Sequence, residues 1–419
     1  MKLASPPIHI DRAKDCILYA QDGKEYIDAI SSWWVNIHGH ANPFIAKQIA
    51  EQALKMEHII FAGFTHTPAV ELAKNLVKIL PDSITKIFYS DNGSTAVEVA
   101  IKMALQYWHN QSIENKTRII AFENSYHGDT FGAMSVGARG AFNNPFAKHL
   151  FHVDFLPTPN DANVEEVKEQ LTHLLSGHDV AAFIFEPLIQ GAGGMLMHKA
   201  EHLDALLQIA QQHKVLCIAD EVMTGFGRTG KNFAIDFLKN KPDLVCLSKG
   251  ITGGFMPLGV TACSQKIFDA FYSDKKEKAF YHGHSYTANP LACAAANASL
   301  ELLLGESCQL QIQSITLSHA TFAGTLKNND FVKEARQQGT ILAIELNTKE
   351  DSSYFNTIRD DVYNFCLDAG VLLRPLGNVL YIMPPYCIRP DELEKVYQVI
   401  TRVIDTFKSK DQSKASIKR

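Results

Sequence analysis

Short apolar runs alternate with longer segments of helical periodicity over the first three quarters of the chain. The runs lie near residues 86–90, 118–122, 180–186, 214–219, 243–248 and 259–263. Apolar runs of roughly four to eight residues between helical segments are typical of strands buried on both faces. The pattern therefore predicts an α/β fold, with a mostly parallel sheet flanked by helices.

The pattern changes after about residue 305. A helical stretch there leads to an apolar run at 339–345, another helix, and a second run at 370–374. This order predicts a smaller α+β domain, which the N-terminal residues complete. We divide the chain into an N-terminal segment (1–30), a large domain (31–304) and a C-terminal small domain (305–419). The polar, basic tail from Lys408 onward predicts a frayed end.

Composition limits the possible partners. The 419 residues are 46% hydrophobic and carry a net charge of −5, which argues against a nucleic-acid surface. We find no leader pattern and no run long enough to span a bilayer, so we expect a cytoplasmic protein without membrane contact. The eight cysteines include no Cys-Xaa-Xaa-Cys pair and are predicted to be reduced core residues. The expected partners are small molecules and a second copy of the chain.

Lys249 is the first candidate for chemistry. It follows the apolar run Leu244–Leu247 after one serine and precedes Gly250. A lysine at the carboxyl end of a buried strand lies where open α/β sheets bind ligands. There its pKa can fall and its amine can form a Schiff base. The alternative at this stage is a solvated lysine in a loop.

Asp220 occupies the same kind of position. It follows the apolar run Val215–Ala219, so in a parallel sheet it opens onto the same crevice as Lys249. An amine and a carboxylate suit pyridoxal phosphate (PLP), because the lysine binds the aldehyde while the acid keeps the pyridine nitrogen protonated. A structural salt bridge is the alternative interpretation.

A phosphate site is predicted at the start of a helix. The strand-like run Ile87–Ser90 leads through a turn to Gly93, Ser94 and an amphipathic helix. Ser94 is the predicted N-cap, and Gly93 would let the backbone approach an anion at the positive end of the helix dipole. A helix cap without a ligand is equally compatible with this pattern, and the common nucleotide-binding fingerprints are absent.

Together these motifs resemble class III aminotransferases of PLP fold type I, over nearly the whole chain. The matching runs are Gly93–Glu98, Tyr126–Thr130, Glu186–Gly194, Asp220–Gly230 and Ser248–Gly250. Ser31–Trp34, Arg374–Gly377 and Tyr381–Tyr386 further resemble the members that convert 8-amino-7-oxononanoate to 7,8-diaminononanoate in biotin biosynthesis.

The resemblance implies roles around the cofactor. Lys249, Asp220 and Tyr126 would be the catalytic residues, with Tyr126 lying over the pyridine ring. From its position after the run Ile119–Phe122, Tyr126 could otherwise be a core aromatic, and we favour the site. His127 and Gly128 would form the tight backbone beside the ring. Ser285 would reach the cofactor phosphate of a neighbouring subunit, which implies a homodimer.

The resemblance also implies a substrate pocket. Trp33 and Trp34 would form an apolar wall for the methylene chain, and Arg374 would bind the terminal carboxylate. Tyr381, Tyr126 and Gly283 complete the expected substrate contacts. Arg228 and Asp129 are expected to organise the site from a second layer.

Two departures from the family pattern affect the amino donor. Relatives usually carry an N-terminal His-Pro-Tyr-Thr-like stretch that lines the donor pocket, and this sequence has no counterpart. Gly283-His284-Ser285 also replaces the Gly-Pro-Thr of some members. S-adenosylmethionine is the expected donor, and lysine is the alternative.

Other functions and sites remain possible from sequence. An acetylornithine-type or ω-amino-acid aminotransferase would keep every cofactor residue, whereas an aminomutase, a PLP-dependent lyase or a non-enzymatic binding protein fits less well. The pairs His38/His40 and His282/His284 could each supply two zinc ligands. Because no third ligand stands at a familiar spacing, we expect no metal site.

Overall fold

The computed structural model describes residues 6–140, 143–348, 350, 352 and 355–416, with side chains up to residue 409. The chain forms two compact units, which are considered separately below. Unit 1 comprises Met1–Ala46 and Leu302–Arg419, and unit 2 comprises Lys47–Glu301. Residues 31–46, which include both tryptophans of the substrate motif, thus belong to unit 1.

The strands of the described residues are short. In chain order they are β1 (Ile10–Lys14), β2 (Ile17–Ala20), β3 (Glu25–Asp28), β4 (Ile84–Ser90), β5 (Arg118–Phe122), β6 (Asp154–Leu156), β7 (Val180–Phe185), β8 (Ile189–Gln190), β9 (Leu196–Met197), β10 (Leu216–Asp220), β11 (Leu244–Leu247), β12 (Gly259–Ser264), β13 (Val332–Gln338), β14 (Ile341–Leu346), β15 (Val371–Leu372) and β16 (Val379–Ile382).

Helices of very different length separate these strands. They are α1 (Ser31–Trp34), α2 (Pro43–Ala53), α3 (Thr67–Ile79), α4 (Gly93–Asn110), α5 (Phe131–Val136), α6 (Val164–Leu175), α7 (Ala200–Gln212), α8 (Gln265–Phe271), α9 (Pro290–Leu304), α10 (Glu306–Leu326), α11 (Ile358–Asp368) and α12 (Pro390–Ser416), with 3-10 turns at Asn144–His149, Ala234–Phe237, Lys249–Thr252 and Lys276–Lys278.

Unit 2 is built on a seven-stranded sheet of order β4-β12-β11-β10-β7-β5-β6 within the described residues. Strands β7, β10, β11 and β12 are buried along their whole length, because helices cover both faces. The pairs from β11 to β6 are parallel, whereas β12 is antiparallel to both of its neighbours. The predicted α/β class and the mostly parallel sheet are confirmed, and β6 is an edge strand that the sequence analysis missed.

Unit 1 contains two sheets. One has the order β1-β2-β3-β15, and the other has the order β13-β14-β16. The parallel pairing of β15 with β3, through Val371 with Ile27 and Leu372 with Asp28, ties the N-terminal strands to the C-terminal part of the chain. This is the expected smaller α+β domain. The predicted domain boundaries after residues 30 and 304 stay a prediction.

Two remaining sequence expectations concern the ends and the membrane. The tail from Lys408 onward, predicted to be frayed, belongs to α12 as far as Ser416, and residues 417–419 lie outside the described residues. In the part of the chain that the structure describes, no helix is both long enough and apolar enough to cross a bilayer.

Candidate active site

The carboxyl ends of three neighbouring strands bring the main polar groups of unit 2 to one edge of its sheet. Glu186 follows β7, Asp220 ends β10, and Lys249 comes two residues after β11. The register fixes this arrangement, because Ala219 is paired with Phe185 and Asp220 with Cys246. The edge is where ligands bind in open α/β sheets.

Asp220 is a buried carboxylate held by two donors. Its Oδ2 is 2.6 Å from His127 Nδ1, and its Oδ1 accepts a 3.1 Å hydrogen bond from the backbone N–H of Val222. Asp220 and His127 are 4% and 3% exposed. Both contacts hold the Asp220 carboxylate in one orientation. His127, predicted for its backbone, therefore contributes its side chain to the site.

The Nε2 atom at the opposite end of the His127 ring is buried and has no hydrogen-bond partner among the described residues. The Nδ1 atom can carry the proton that faces the Asp220 carboxylate. The imidazole of His127 thus orients the Asp220 carboxylate at the sheet edge.

Lys249 lies in a setting that favours its neutral amine. Burial lowers the pKa of Lys249 from 10.5 to about 8, and the nearby Arg228 guanidinium lowers it further, while Asp220 and Glu186 oppose the shift. The residue also adopts a left-handed backbone with φ 48° at the start of a 3-10 turn. A lysine in such a conformation is unusual and strained, which is common at functional sites.

Glu186 connects this edge to Tyr126. Its Oε1 accepts the Tyr126 backbone N–H at 2.9 Å, and its Oε2 accepts the Gly191 N–H at 2.9 Å. Burial raises the pKa of Glu186 to about 7, and the Asp220 charge adds to that rise. Tyr126 itself is 40% exposed. Its hydroxyl donates to Asp129 Oδ2 at 2.9 Å, so the Tyr126 ring is held at both ends.

The start of α4 differs in detail from the sequence prediction. Asn92, not Ser94, is the N-cap, because its side chain accepts the Thr95 N–H at 2.9 Å and Thr95 Oγ1 bonds back to the Asn92 N–H. Ser94 lies within the first turn. A methyl group on Gly93 would be 2.8 Å from Val222 Cγ1, so the glycine is required by packing in the protein itself.

Ser94 instead joins the helix start to the Tyr126 segment. Its Oγ accepts the Asp129 N–H at 3.2 Å. Gly128 has φ 132°, and a Cβ there would overlap the Ser94 hydroxyl. The Ser94 oxygen is thus used as an acceptor, and its hydroxyl proton can still be donated to an anion.

The loop after residue 280 is open to solvent. Gly283 and Ser285 are exposed. His284 orders the loop locally, since its Nδ1 accepts the Tyr286 N–H and its carbonyl accepts the Thr287 hydroxyl. His282 Nδ1 lies 3.0 Å from Lys102 Nζ. Among the described residues no group of three or more His, Cys, Asp or Glu side chains is arranged to hold a metal ion.

The predicted substrate residues of unit 1 form a second cluster. The Arg374 guanidinium lies over the Trp33 ring, with Cζ 4.5 Å from the ring centroid. Trp33 is 59% exposed. A guanidinium held on an aromatic face keeps its N–H fork available in the plane, where a carboxylate can accept two hydrogen bonds.

Trp34 and Tyr381 contact each other within unit 1, and their predicted place in the substrate pocket stays a prediction. Both are buried, with 5% and 3% of their surface exposed. The Trp34 indole N–H donates to the Tyr381 hydroxyl at 3.0 Å, and their rings meet edge to face. Of the two tryptophans in the expected aromatic wall, Trp33 is the largely accessible one.

Sequence reasoning missed the roles of two acidic residues. Glu186 carries the same signal as Asp220, a carboxylate directly after a buried strand, and could have been found by it. Glu98 Oε1 accepts hydrogen bonds from Thr130 Oγ1, Gly132 N and Ala133 N, which anchors α5 beside the Tyr126 segment. No local pattern in the sequence indicates these long-range contacts.

The lowered pKa of Lys249 can be checked by chemical labelling. The amine is protonated and unreactive below its pKa, so in cofactor-free protein its acetylation by acetic anhydride should reach half its maximal rate near pH 8. Peptide mass spectrometry from pH 6 to 11 would measure this, with the exposed Lys55 as the reference amine. A midpoint for Lys249 at pH 10 or above contradicts the desolvated site.

Comparisons with known proteins agree with this arrangement. The model of the family described as "Aminotransferase class-III" matches residues 2–404. An adenosylmethionine-8-amino-7-oxononanoate aminotransferase from Synechococcus elongatus is 50% identical, covering 97% of this chain and 96% of its own. One of the same name from Geobacter sulfurreducens is 39% identical over 96% of this chain and 93% of its own.

Solved structures give the same result for the backbone. A crystal structure of adenosylmethionine-8-amino-7-oxononanoate aminotransferase from Methanocaldococcus jannaschii has a TM-score of 0.91 and 36% identity, covering 96% of this chain and 94% of that one. A PLP-bound amine transaminase from an uncultivated Pseudomonas species also has a TM-score of 0.91, at 28% identity, covering 97% and 98%. This chain therefore belongs to the class III aminotransferase family.

Proposed function

We propose that this protein transfers an amino group to 8-amino-7-oxononanoate, giving 7,8-diaminononanoate in biotin biosynthesis, with PLP as cofactor and S-adenosylmethionine as amino donor. The observation that carries the substrate assignment is the Arg374 guanidinium held on the exposed ring of Trp33. An apolar face beside a planar cation suits a methylene chain that ends in a carboxylate. The names of relatives at 50% and 39% identity support the same substrate.

The residues of unit 2 fit PLP. Lys249 supplies an amine whose pKa is lowered to about 8, which suits bonding to an aldehyde. Asp220 supplies a buried charge that would stabilise a protonated ring nitrogen, and the α4 start with Ser94 supplies donors for a phosphate. When bound, PLP accepts the electron pair released as the proton leaves the substrate carbon.

Lys249 is the residue that moves the proton. At neutral pH a fraction of its amine would be unprotonated, so Nζ would hold the proton that leaves the substrate carbon. His127 and the Val222 N–H both bind the Asp220 carboxylate and would fix its orientation. Glu186 and Asp129 hold Tyr126 by its backbone and its hydroxyl, which fixes the face that the ring presents.

Unit 1 would select the substrate. Arg374 would bind the carboxylate that ends the keto acid, and Trp33 would cover the adjacent methylene groups. Trp34 would extend the apolar wall, and Tyr381, which accepts a hydrogen bond from the Trp34 indole N–H, would lie beside the substrate. The backbone alone does not separate this function from other class III reactions, because amine transaminases reach the same TM-score at lower identity.

A homodimer is part of the proposal. Large apolar side chains of unit 2 are open to solvent, including Ile60, Phe64, Tyr281 and Tyr286, at 59%, 61%, 73% and 65% exposure. Such a concentration of exposed apolar surface favours burial against another chain. Ser285 lies in the same loop as Tyr281 and Tyr286 and would reach a neighbouring cofactor phosphate. Sedimentation at micromolar concentration should give twice the chain mass, and a monomer there would contradict the assembly.

The expected location is the cytoplasm. All eight cysteines are free thiols and seven of them are buried. Free thiols are typical of a reducing compartment. Fractionation of cells that express the tagged chain would test this location directly.

Arg374 provides the sharpest test of the substrate. Loss of a charge-assisted hydrogen bond costs roughly 1.5–3 kcal/mol, so Arg374→Ala should lower kcat/KM for the keto acid about tenfold to a hundredfold. The donor half-reaction should change much less. Stopped-flow spectra of each half-reaction measure both, with Arg389→Ala, an exposed arginine of the same unit, as the matched control and Lys249→Ala as the blank. Equal losses in both half-reactions would instead indicate a structural arginine.

The amino donor is decided by a half-reaction screen. More than half of the Trp33 surface remains exposed, which offers stacking area to an adenine ring and attraction to a sulfonium cation. Mixing the PLP form with S-adenosylmethionine should convert its visible band to that of pyridoxamine phosphate, and lysine should do so far more slowly. Conversion by lysine alone would overturn the donor assignment and leave the aminotransferase assignment intact.

A further inference from the structure

Asp28 is a fully buried carboxylate that the proposed reaction does not use. It ends β3 in unit 1 and is 0% exposed. Its Oδ1 accepts the Ile30 N–H at 3.2 Å. Its Oδ2 accepts three hydrogen bonds, from Ser32 N at 2.6 Å, Ser32 Oγ at 3.1 Å and His40 Nε2 at 2.8 Å. Every one of these partners lies in or beside the segment that carries Trp33.

The backbone of that segment is strained. Ser31, Ser32 and Trp34 have φ of 51°, 59° and 70°, and none of them is glycine. Non-glycine residues hold such angles only where surrounding contacts over-determine them. The Asp28 carboxylate binds two backbone N–H groups of this turn, and the Ser31 hydroxyl donates to the Met383 carbonyl at 2.8 Å. The Asp28 carboxylate is thus the hydrogen-bond acceptor that stabilises this turn.

His40 fixes the carboxylate in turn. The Asn36 side-chain amide lies 3.2 Å from His40 Nδ1, and an amide N–H there requires Nδ1 to accept. The ring proton is then on Nε2 and is donated to Asp28. The His40 backbone is also fixed, because its N–H donates to the Asp15 carbonyl at 2.7 Å and its own carbonyl accepts the Asp15 N–H.

The turn determines where Trp33 stands. The backbone N–H of Trp34 donates to the Ile30 carbonyl and its indole N–H donates to the Tyr381 hydroxyl, so the side chain is held in one position. Trp33, one residue earlier, is left as the exposed ring below the Arg374 guanidinium. Unwinding the turn would rotate Trp33 away from Arg374 while the buried core of the unit stayed in place.

We propose that Asp28 and His40 form a positioning pair that sets specificity for the keto acid by holding Trp33 under Arg374. Asp28 and His40 act through Trp33 and Arg374 and do not contact the substrate themselves. The inference rests on the proposed function of Arg374 as the carboxylate-binding residue. A buried ion pair that only stabilises unit 1 is the competing explanation.

The test uses the full-length PLP enzyme with Asp28→Asn. The asparagine amide would place an NH₂ group opposite a group that now donates to the Asp28 carboxylate. The turn would therefore lose at least one hydrogen bond. We expect KM for the keto acid to rise about tenfold or more while kcat changes less than about twofold. His40→Gln, which keeps a donor, should have a smaller effect than His40→Ala. Asp22→Asn, an exposed acid paired with Lys24 in the same unit, is the matched control.

A second readout follows Trp33 without any turnover. The chain has three tryptophans, so the difference between wild type and Trp33→Phe isolates the fluorescence of Trp33. Asp28→Asn should make Trp33 as accessible to acrylamide as Arg374→Ala does, and the double variant should show no further increase. Equal loss of both half-reactions with Trp33 quenching unchanged would overturn the positioning pair in favour of a stabilising ion pair.

The two proposals fail in different ways. If Arg374→Ala leaves keto-acid kinetics unchanged, the proposed function of Arg374 is wrong, whatever Asp28 does. If Arg374→Ala impairs the keto acid and Asp28→Asn adds its full effect in the double variant, the function stands and the positioning pair is wrong. Non-additive effects, with the double variant close to Arg374→Ala alone, are the result that the proposal requires.

Discussion

The parallel register of three fully buried strands is the constraint on which the chemistry depends. Because β7, β10 and β11 run side by side, Glu186, Asp220 and Lys249 emerge at one edge of the sheet and share one poorly solvated environment. Desolvation acts oppositely on acids and amines, raising the pKa of Glu186 and lowering that of Lys249. The two acids differ in their hydrogen-bond partners. Asp220 is paired with an imidazole, whereas Glu186 accepts hydrogen bonds from two backbone N–H groups. One sheet edge thus carries a hydrogen-bonded carboxylate, an acid whose pKa is raised to about 7 and an amine whose pKa is lowered to about 8.

The sequence predicted those parts of the molecule that depend on local pattern. Buried strands appear in the sequence as short apolar runs. The strands of the unit 2 sheet, and Asp220 and Lys249 at their ends, could therefore be located from the order of these runs alone. The edge strand β6 escaped because Asp154–Leu156 is too short to leave a pattern. The N-cap of α4 was assigned to Ser94 instead of Asn92, since both residues cap helices well and only the Thr95 hydroxyl, bonding back to Asn92, decides between them.

Roles set by distant contacts could not be predicted in the same way. Trp34 and Tyr381 are 347 residues apart, and no periodicity indicates that the indole N–H of one donates to the hydroxyl of the other. The same holds for Asp28 with His40 and for His127 with Asp220, whose side chains meet only after the sheets form. Family resemblance indicated which residues matter in these regions, and the structure adds the side chains to which they are hydrogen-bonded.

The backbone at Lys249 has a consequence for how this fold tolerates change. Position 249 combines a left-handed conformation with a poorly solvated amine, and both features oppose folding. Glycine would adopt the same φ without a Cβ penalty and would bring no charge. The reactive residue is therefore kept against the preference of its own surroundings. Selection for folding alone would favour glycine at this position, and the protein would become more stable as it lost its reactive amine.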